Sequence, residues 1–206
     1  MRLLVAVAHP DDESFGCGSV LAHAAAHGIN SVVVCATRGE LGEEAGGRGM
    51  PPDRGRLGAI REAELRAAAA VLGARRVEML GWCDSGTDGV PESGSLAAAS
   101  PEDVTEAIAR LVEEVQPDVV VTLDASDGHR DHVVVRDATL AAVARTAWRP
   151  QRTYLWCLPR TLMAEFTGVG DLGTPDDTIT TVVDTGEYLD VRWQAMRTHA
   201  SQAPPL

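Results

Sequence analysis

The chain has 206 residues, enough for one domain of ordinary size with a substantial core. Its hydrophobic content of 45% is that of a globular protein, and a formal net charge of −12 argues against a phosphate-backbone binder, because no basic surface is evident for counterion release. All 18 basic residues are arginines, which excludes P-loop lysine, Schiff-base and receiver-type lysine chemistry.

In chain order, Leu3–Ala8 is a continuous apolar run and predicts a buried first strand. It is short, and acidic residues follow where a cleavage site would stand, so no signal peptide is expected. Gly18–His27 is an Ala-rich helix closed by Gly28. Ser31–Ala36 predicts the second strand. The stretch Thr37–Gly55, rich in Gly, Pro and charge, reads as a long functional loop. Leu57–Leu72 is helical, with Ile60, Leu65, Ala68 and Leu72 on one side. Val77–Leu80 is a short third strand, and Gly86–Ser100 a second irregular stretch. Ser100-Pro101-Glu102-Asp103 opens a helix with a serine N-cap, a proline at N1 and acids in the first turn. That helix runs to Val115, and Val119–Leu123 is a fourth buried strand. Helix is expected over His132–Ala147, strand over Thr153–Cys157 and Ile179–Val183, and a last helix over Tyr188–Ala200.

Strands alternating with helices predict a single α/β domain over residues 1–206, a doubly wound, mostly parallel sheet with helices on both faces. With strand order 3-2-1-4-5, strands one and four are neighbours where the order reverses, and ligands bind beyond the carboxyl ends of strands at such a point. Cys17, Cys35, Cys83 and Cys157 are scattered without a CxxC pair and read as free thiols of a reducing cytoplasm. No stretch is long and apolar enough to cross a bilayer, and a homo-oligomer is compatible with the sequence.

Two clusters fall at the predicted switch point. The first strand ends in "AHPDDE", with His9, Asp11, Asp12 and Glu13; the fourth runs into "LDASDGHRDH", with His129, Asp131 and His132. Each alone also reads as a helix start, where proline and carboxylates complement the N-terminal dipole. Together they supply two or three imidazoles and at least two carboxylates. That set suits Zn²⁺ or another divalent transition metal with a position open for water, whereas carboxylates without histidine would suit Mg²⁺ or Ca²⁺. His23 and His27, spaced i, i+4 near a helix end, read as exposed helix surface, and His199 has no assigned role.

These residues resemble the PIG-L/LmbE-like metal-dependent de-N-acetylases, a likeness extended by "TRGE" after the second strand, "REAEL" at Arg61–Leu65, "LGWCDSG" at Leu80–Gly86 and "HASQ" near the end. The resemblance implies that His9, Asp12 and His132 ligate Zn²⁺ (Fe²⁺ being an alternative) and that Asp11 is the general base. It implies that His129 stabilises the oxyanion as an imidazolium oriented by Asp131, that Arg61 and Asp84 contact substrate hydroxyls, and that Glu13 hydrogen-bonds in support. Arg61 also reads as a helix-surface residue and Asp84 as the first residue of an Asx turn. Two positions depart from the family pattern: Arg130 replaces the proline of "HPDH", and Asp127 stands where mycothiol-pathway members carry a tyrosine.

The implied reaction is hydrolysis of an N-acyl amino sugar, with N-acetylglucosamine attached to another group as the default, giving acetate and a free amine. Alternatives are an amidase acting on a non-sugar natural-product intermediate, a metal-dependent phosphoesterase, and a non-catalytic doubly wound binding domain. Small-molecule partners are expected, and neither nucleic acid nor membrane.

Overall fold

The computed structural model describes residues 1–43 and 53–202. The expected loop over Thr37–Gly55 therefore lies partly outside the described residues. The sheet has five parallel strands in the order β3-β2-β1-β4-β5: β1 Arg2–Val7, β2 Asn30–Thr37, β3 Arg76–Trp82, β4 Val119–Leu123 and β5 Arg152–Trp156. Leu4 pairs with Val32 on one side and Val120 on the other, so β1 is central. Alternate residues of the central strands face opposite layers. Leu4, Ala6, Val34 and Val120 pack with Ile108 and Val112 of α3 (Pro101–Val115) and Val135, Ala138 and Ala142 of α4 (Arg130–Arg145). Leu3, Val5, Val33 and Val121 pack with Leu21 of α1 (Asp12–Ala26), Leu65 and Leu72 at α2 (Arg54–Val71), and Ala195 of α6 (Leu189–Thr198). The result is the three-layer, doubly wound α/β architecture expected from the sequence.

Local differences have physical causes. α1 begins at Asp12, six residues before the expected start, because its first turn consists of the acidic residues of "HPDDE". It kinks at Cys17, whose φ/ψ of −127° and 20° is not helical. Ser100 is the N-cap of α3, but its hydroxyl makes no cap hydrogen bond; Asp53 caps α2 by accepting from the Arg56 amide at 3.1 Å. The expected strand Ile179–Val183 is irregular chain between 3₁₀ turns at Asp176–Thr178 and Gly186–Tyr188, and Val182 is 88% exposed. Among the described residues its β-branched side chains meet no neighbouring strand, and β-propensity without a pleated partner surface does not make a strand. A short helix over Arg160–Thr167, α5, was not anticipated. Among the described residues all four cysteines are free, and no helix is long and apolar enough to cross a membrane.

Candidate metal centre and active site

β1 stops at Val7 and β4 at Leu123, side by side, so the segments that follow both strands emerge at the same point. Asp12 heads α1, and its Oδ2 accepts the amides of Ala8 at 3.1 Å and His9 at 2.9 Å, which draws the carboxylate back over the end of the strand. Its Oδ1 faces Nε2 of His132, in the first turn of α4, at 3.5 Å. His9 Nδ1 lies 3.8 Å from Asp12 Oδ2. The His9, His129 and His132 rings form a triangle with centroids 4.7, 5.3 and 4.8 Å apart.

These three histidines can bring one nitrogen each within 4.8 Å of the others, and His9, Asp84 and Asp131 form a second such group. The second group arises because His9 Nε2 turns toward Asp131 Oδ2 at 3.1 Å and Asp84 Oδ1 at 3.6 Å. Asp12, Asp84 and Asp131 thus crowd one buried place, with the exposed Asp127 against His132 at its edge. His9 and His132 answer that charge by holding protons. Burial opposes protonation of His9 most strongly, but hydrogen bonds to Asp131 and Asp84 and the Asp12 charge outweigh it and raise its pKa to about 10. His132 is likewise raised to about 9, burial being outweighed by Asp12 and Asp127. The carboxyls of Asp12 and Asp84 are held well below the usual range: burial raises them, and the histidine bonds more than reverse this. Imidazole nitrogens and carboxylate oxygens of this kind suit a divalent transition ion, whose charge would replace the two protons. Asp12 lies against both His9 and His132, but the three-residue groups whose donor atoms already gather are His9–His129–His132 and His9–Asp84–Asp131, and neither is the expected set His9, Asp12 and His132.

Asp11 is held differently. Its φ of 117° lies where a non-glycine residue is strained, at a cost of about 1–3 kcal/mol. The peptide unit before it is gripped at both ends. Arg61 Nη2 donates to the Pro10 carbonyl at 2.6 Å, and the Asp11 amide donates to Glu13 Oε2 at 3.0 Å. Arg61 Nη2 also donates to Asp11 Oδ2 at 3.0 Å, and Nη1 to the Gly39 carbonyl at 2.6 Å. Burial, then the neighbouring Asp12 charge, push the Asp11 carboxyl up to about 7 against the pull of Arg61. That value suits a group that takes and returns a proton near neutrality.

His129 departs from expectation. The Asp131 carboxylate does not hold it; that carboxylate bonds His9 and the Ser85 amide, the latter at 3.0 Å. Instead His129 is the N-cap of α4, its Nδ1 accepting the Asp131 amide at 3.2 Å. An accepting Nδ1 leaves the ring proton on Nε2. Burial, then the His9 and His132 charges, lower its pKa, so a neutral ring replaces the expected imidazolium.

The terminal guanidinium nitrogens of Arg61 are engaged by protein acceptors. Asp84 makes the Asx turn, accepting the Gly86 amide at 2.8 Å, and it also accepts Leu41 N–H at 3.3 Å. Both line the site through the protein's own polar groups. Asp127, noted only as a departure, accepts from His132 Nδ1 at 2.6 Å and from the His129 amide at 3.1 Å. Arg130 ties the loop after Asp84 by donating to the carbonyls of Thr87 at 2.6 Å and Gly89 at 3.0 Å. Buried His199 donates to buried Glu13; the "HASQ" stretch was the sequence signal for it, without a partner to give it meaning.

The sequence profile of the family described as PIG-L, GlcNAc-PI de-N-acetylase, matches residues 4–143. A 1D-myo-inositol 2-acetamido-2-deoxy-alpha-D-glucopyranoside deacetylase from Thermobifida fusca is 34% identical over 98% of this chain and 83% of its own length. The N,N'-diacetylchitobiose deacetylase from Pyrococcus horikoshii aligns over 98% of this chain and 71% of its own, at 21% identity and a TM-score of 0.70. A 4-carboxy-2-hydroxymuconate hydratase from Pseudomonas putida KT2440 aligns over 98% and 79% at 24% identity and a TM-score of 0.71. At such identities the structures show the fold alone, and a fold can carry more than one chemistry. Family membership rests on the sequence matches and on the two clusters that they share the span of: the chain belongs to the PIG-L de-N-acetylase family.

Proposed function

We propose that this protein is a zinc-dependent de-N-acetylase that releases acetate from an N-acetylglucosamine-bearing small molecule. The observation that supports the reading is that Asp12 lies against both His9 and His132, with the raised carboxyl of Asp11 adjacent to Asp12 in the chain and held by Arg61. The deacetylase names of the sequence relatives supply the substrate class.

Held by His9, Asp12 and His132, the ion would polarise the amide carbonyl and lower the pKa of a water to about 7. Asp11 takes the proton of the attacking water. The Nε2–H of neutral His129 donates to the oxyanion of the tetrahedral intermediate, at a ring that needs no proton change to do so. Asp11 then returns its proton to the departing amine, which its position near neutral pKa allows.

The test is mass-spectrometric detection of acetate and free amine from a panel of N-acetyl amino sugars, glycosylated inositol included, with zinc-loaded and chelator-treated protein. Zinc-dependent release of equal acetate and amine supports the reading. Absence of amine release from every N-acetyl sugar in the panel, by fully loaded protein, overturns it.

A further inference from the structure

We infer that His199 is a positioning residue: through Glu13 it fixes the strained backbone of Asp11 and so sets where the proposed base stands. Three observations on different elements lead there. His199, at the C-cap of α6, and Glu13, in the first turn of α1, have no side-chain exposure, and Nε2 donates to Oε1 at 2.8 Å. Glu13 Oε1 also accepts the Ser14 hydroxyl at 2.5 Å, and its Oε2 accepts the Asp11 amide at 3.0 Å. Asp11 has a φ of 117°. A residue in that region stays there only when its surroundings over-determine it. The same peptide unit is held on its other side by Arg61 at the Pro10 carbonyl. Without the imidazole, the Glu13 carboxylate keeps one local hydroxyl donor and is free to turn away from the Asp11 amide.

The stretch that carries His199 is itself docked. Ser201 donates its amide to Glu64 Oε1 at 2.8 Å and its hydroxyl to Oε2 at 2.6 Å. Arg61 and Glu64 lie one helical turn apart on α2. "REAEL" and "HASQ" therefore meet: one turn of α2 secures both the Asp11 peptide and the segment that delivers His199. Neither His199 nor Glu13 touches His9, Asp12 or His132 through its side chain among the described hydrogen bonds and ion pairs; the hydrogen-bonded route to Asp11 runs through its backbone amide, and the two charges also act through space on its carboxyl.

The kinetic arm of the test rests on the proposed hydrolysis; the exchange arm needs no substrate. His199→Ala, His199→Gln and the parent chain are compared, zinc-loaded, for the hydrogen-exchange protection of the Asp11 amide, zinc stoichiometry, and kcat and KM. In His199→Ala the expected result is loss of Asp11 amide protection by at least ~10-fold, full zinc content, a kcat lower by at least ~10-fold, and a KM within ~2-fold. His199→Gln, whose amide can still donate to Glu13, is expected to recover most of both. Should His199→Ala fail to fold, His199→Asn takes its place against His199→Gln, since the shorter amide leaves the donor short of Glu13. Parent-like Asp11 protection in the variant lacking the donor overturns the inference, whatever the turnover. Lost protection with parent-like kcat also overturns it, and a parent chain inactive on every amide overturns the hydrolase reading while leaving the exchange result to decide the positioning.

Discussion

Nδ1 of His132 sits 2.6 Å from the Asp127 carboxylate, while Nε2 of the same ring faces Asp12 at 3.5 Å. A ring anchored by a carboxylate at one nitrogen presents the other, unprotonated once a metal is bound, in a fixed direction. Asp127 thus has a defined partner in His132. Asp127→Asn should lower zinc affinity by about 10–100-fold, as loss of such an outer partner does. Competition with a chromophoric chelator measures it. Unchanged affinity would leave Asp127 as a loop residue.

Asp11→Asn removes the carboxyl and keeps the side-chain shape beside Arg61. It should bind zinc stoichiometrically and lose turnover by at least ~100-fold, the scale of general base catalysis. Metal analysis and kcat on the same preparation check it. Near-parent turnover would remove Asp11 from the mechanism.

Much of the frame is legible in the sequence. The apolar runs Leu3–Ala8, Ser31–Ala36 and Val119–Leu123, separated by helix, predict a parallel sheet, and if its order is 3-2-1-4-5, as the structure has it, "HPDDE" stands beside "HRDH". What stayed hidden depends on distance in the chain. Glu13 and His199 are 186 positions apart, and nothing local in "HASQ" names its partner. The positive φ of Asp11 has no sequence signal, since glycine or asparagine would mark such a site and aspartate followed by acids reads as a helix start. The departure from the family pattern marks position 127, but nothing local to it names His132 as its partner.

Gly16 sits on α1 directly beneath Trp156, where an added Cβ would overlap the indole ring. The sequence offers no reason for a glycine inside this helix; the packing does. Gly16→Ala gains helix propensity of about 1 kcal/mol but overpacks a tight contact, at about 1–3 kcal/mol. Net loss should lower Tm, and Gly16→Ala combined with Trp156→Phe should recover it. A Tm for the single variant above that of the parent would show that the indole yields freely.

Zinc binding should release protons, and the sign follows from the rings. In the metal-free protein His9 titrates near 10 and His132 near 9, both above the ordinary value of 6.5, so both are charged at pH 8. A metal ligand must be a neutral imidazole, so binding expels a proton from each ring. At pH 8 Asp11, with its pKa of about 7, is already mostly ionised and adds little. Calorimetry in buffers of differing ionisation enthalpy should report about two protons per ion, or more. The same shifts govern stability without metal. Histidines whose folded pKa is raised contribute stability that is fully present below about 6.5 and lost as pH rises through 9 to 10. Metal-free protein should therefore melt at falling temperature across that window, while zinc-loaded protein, whose rings hold no such protons, should resist the change. Release of less than one proton at pH 8 would show that His9 and His132 are not both ligands.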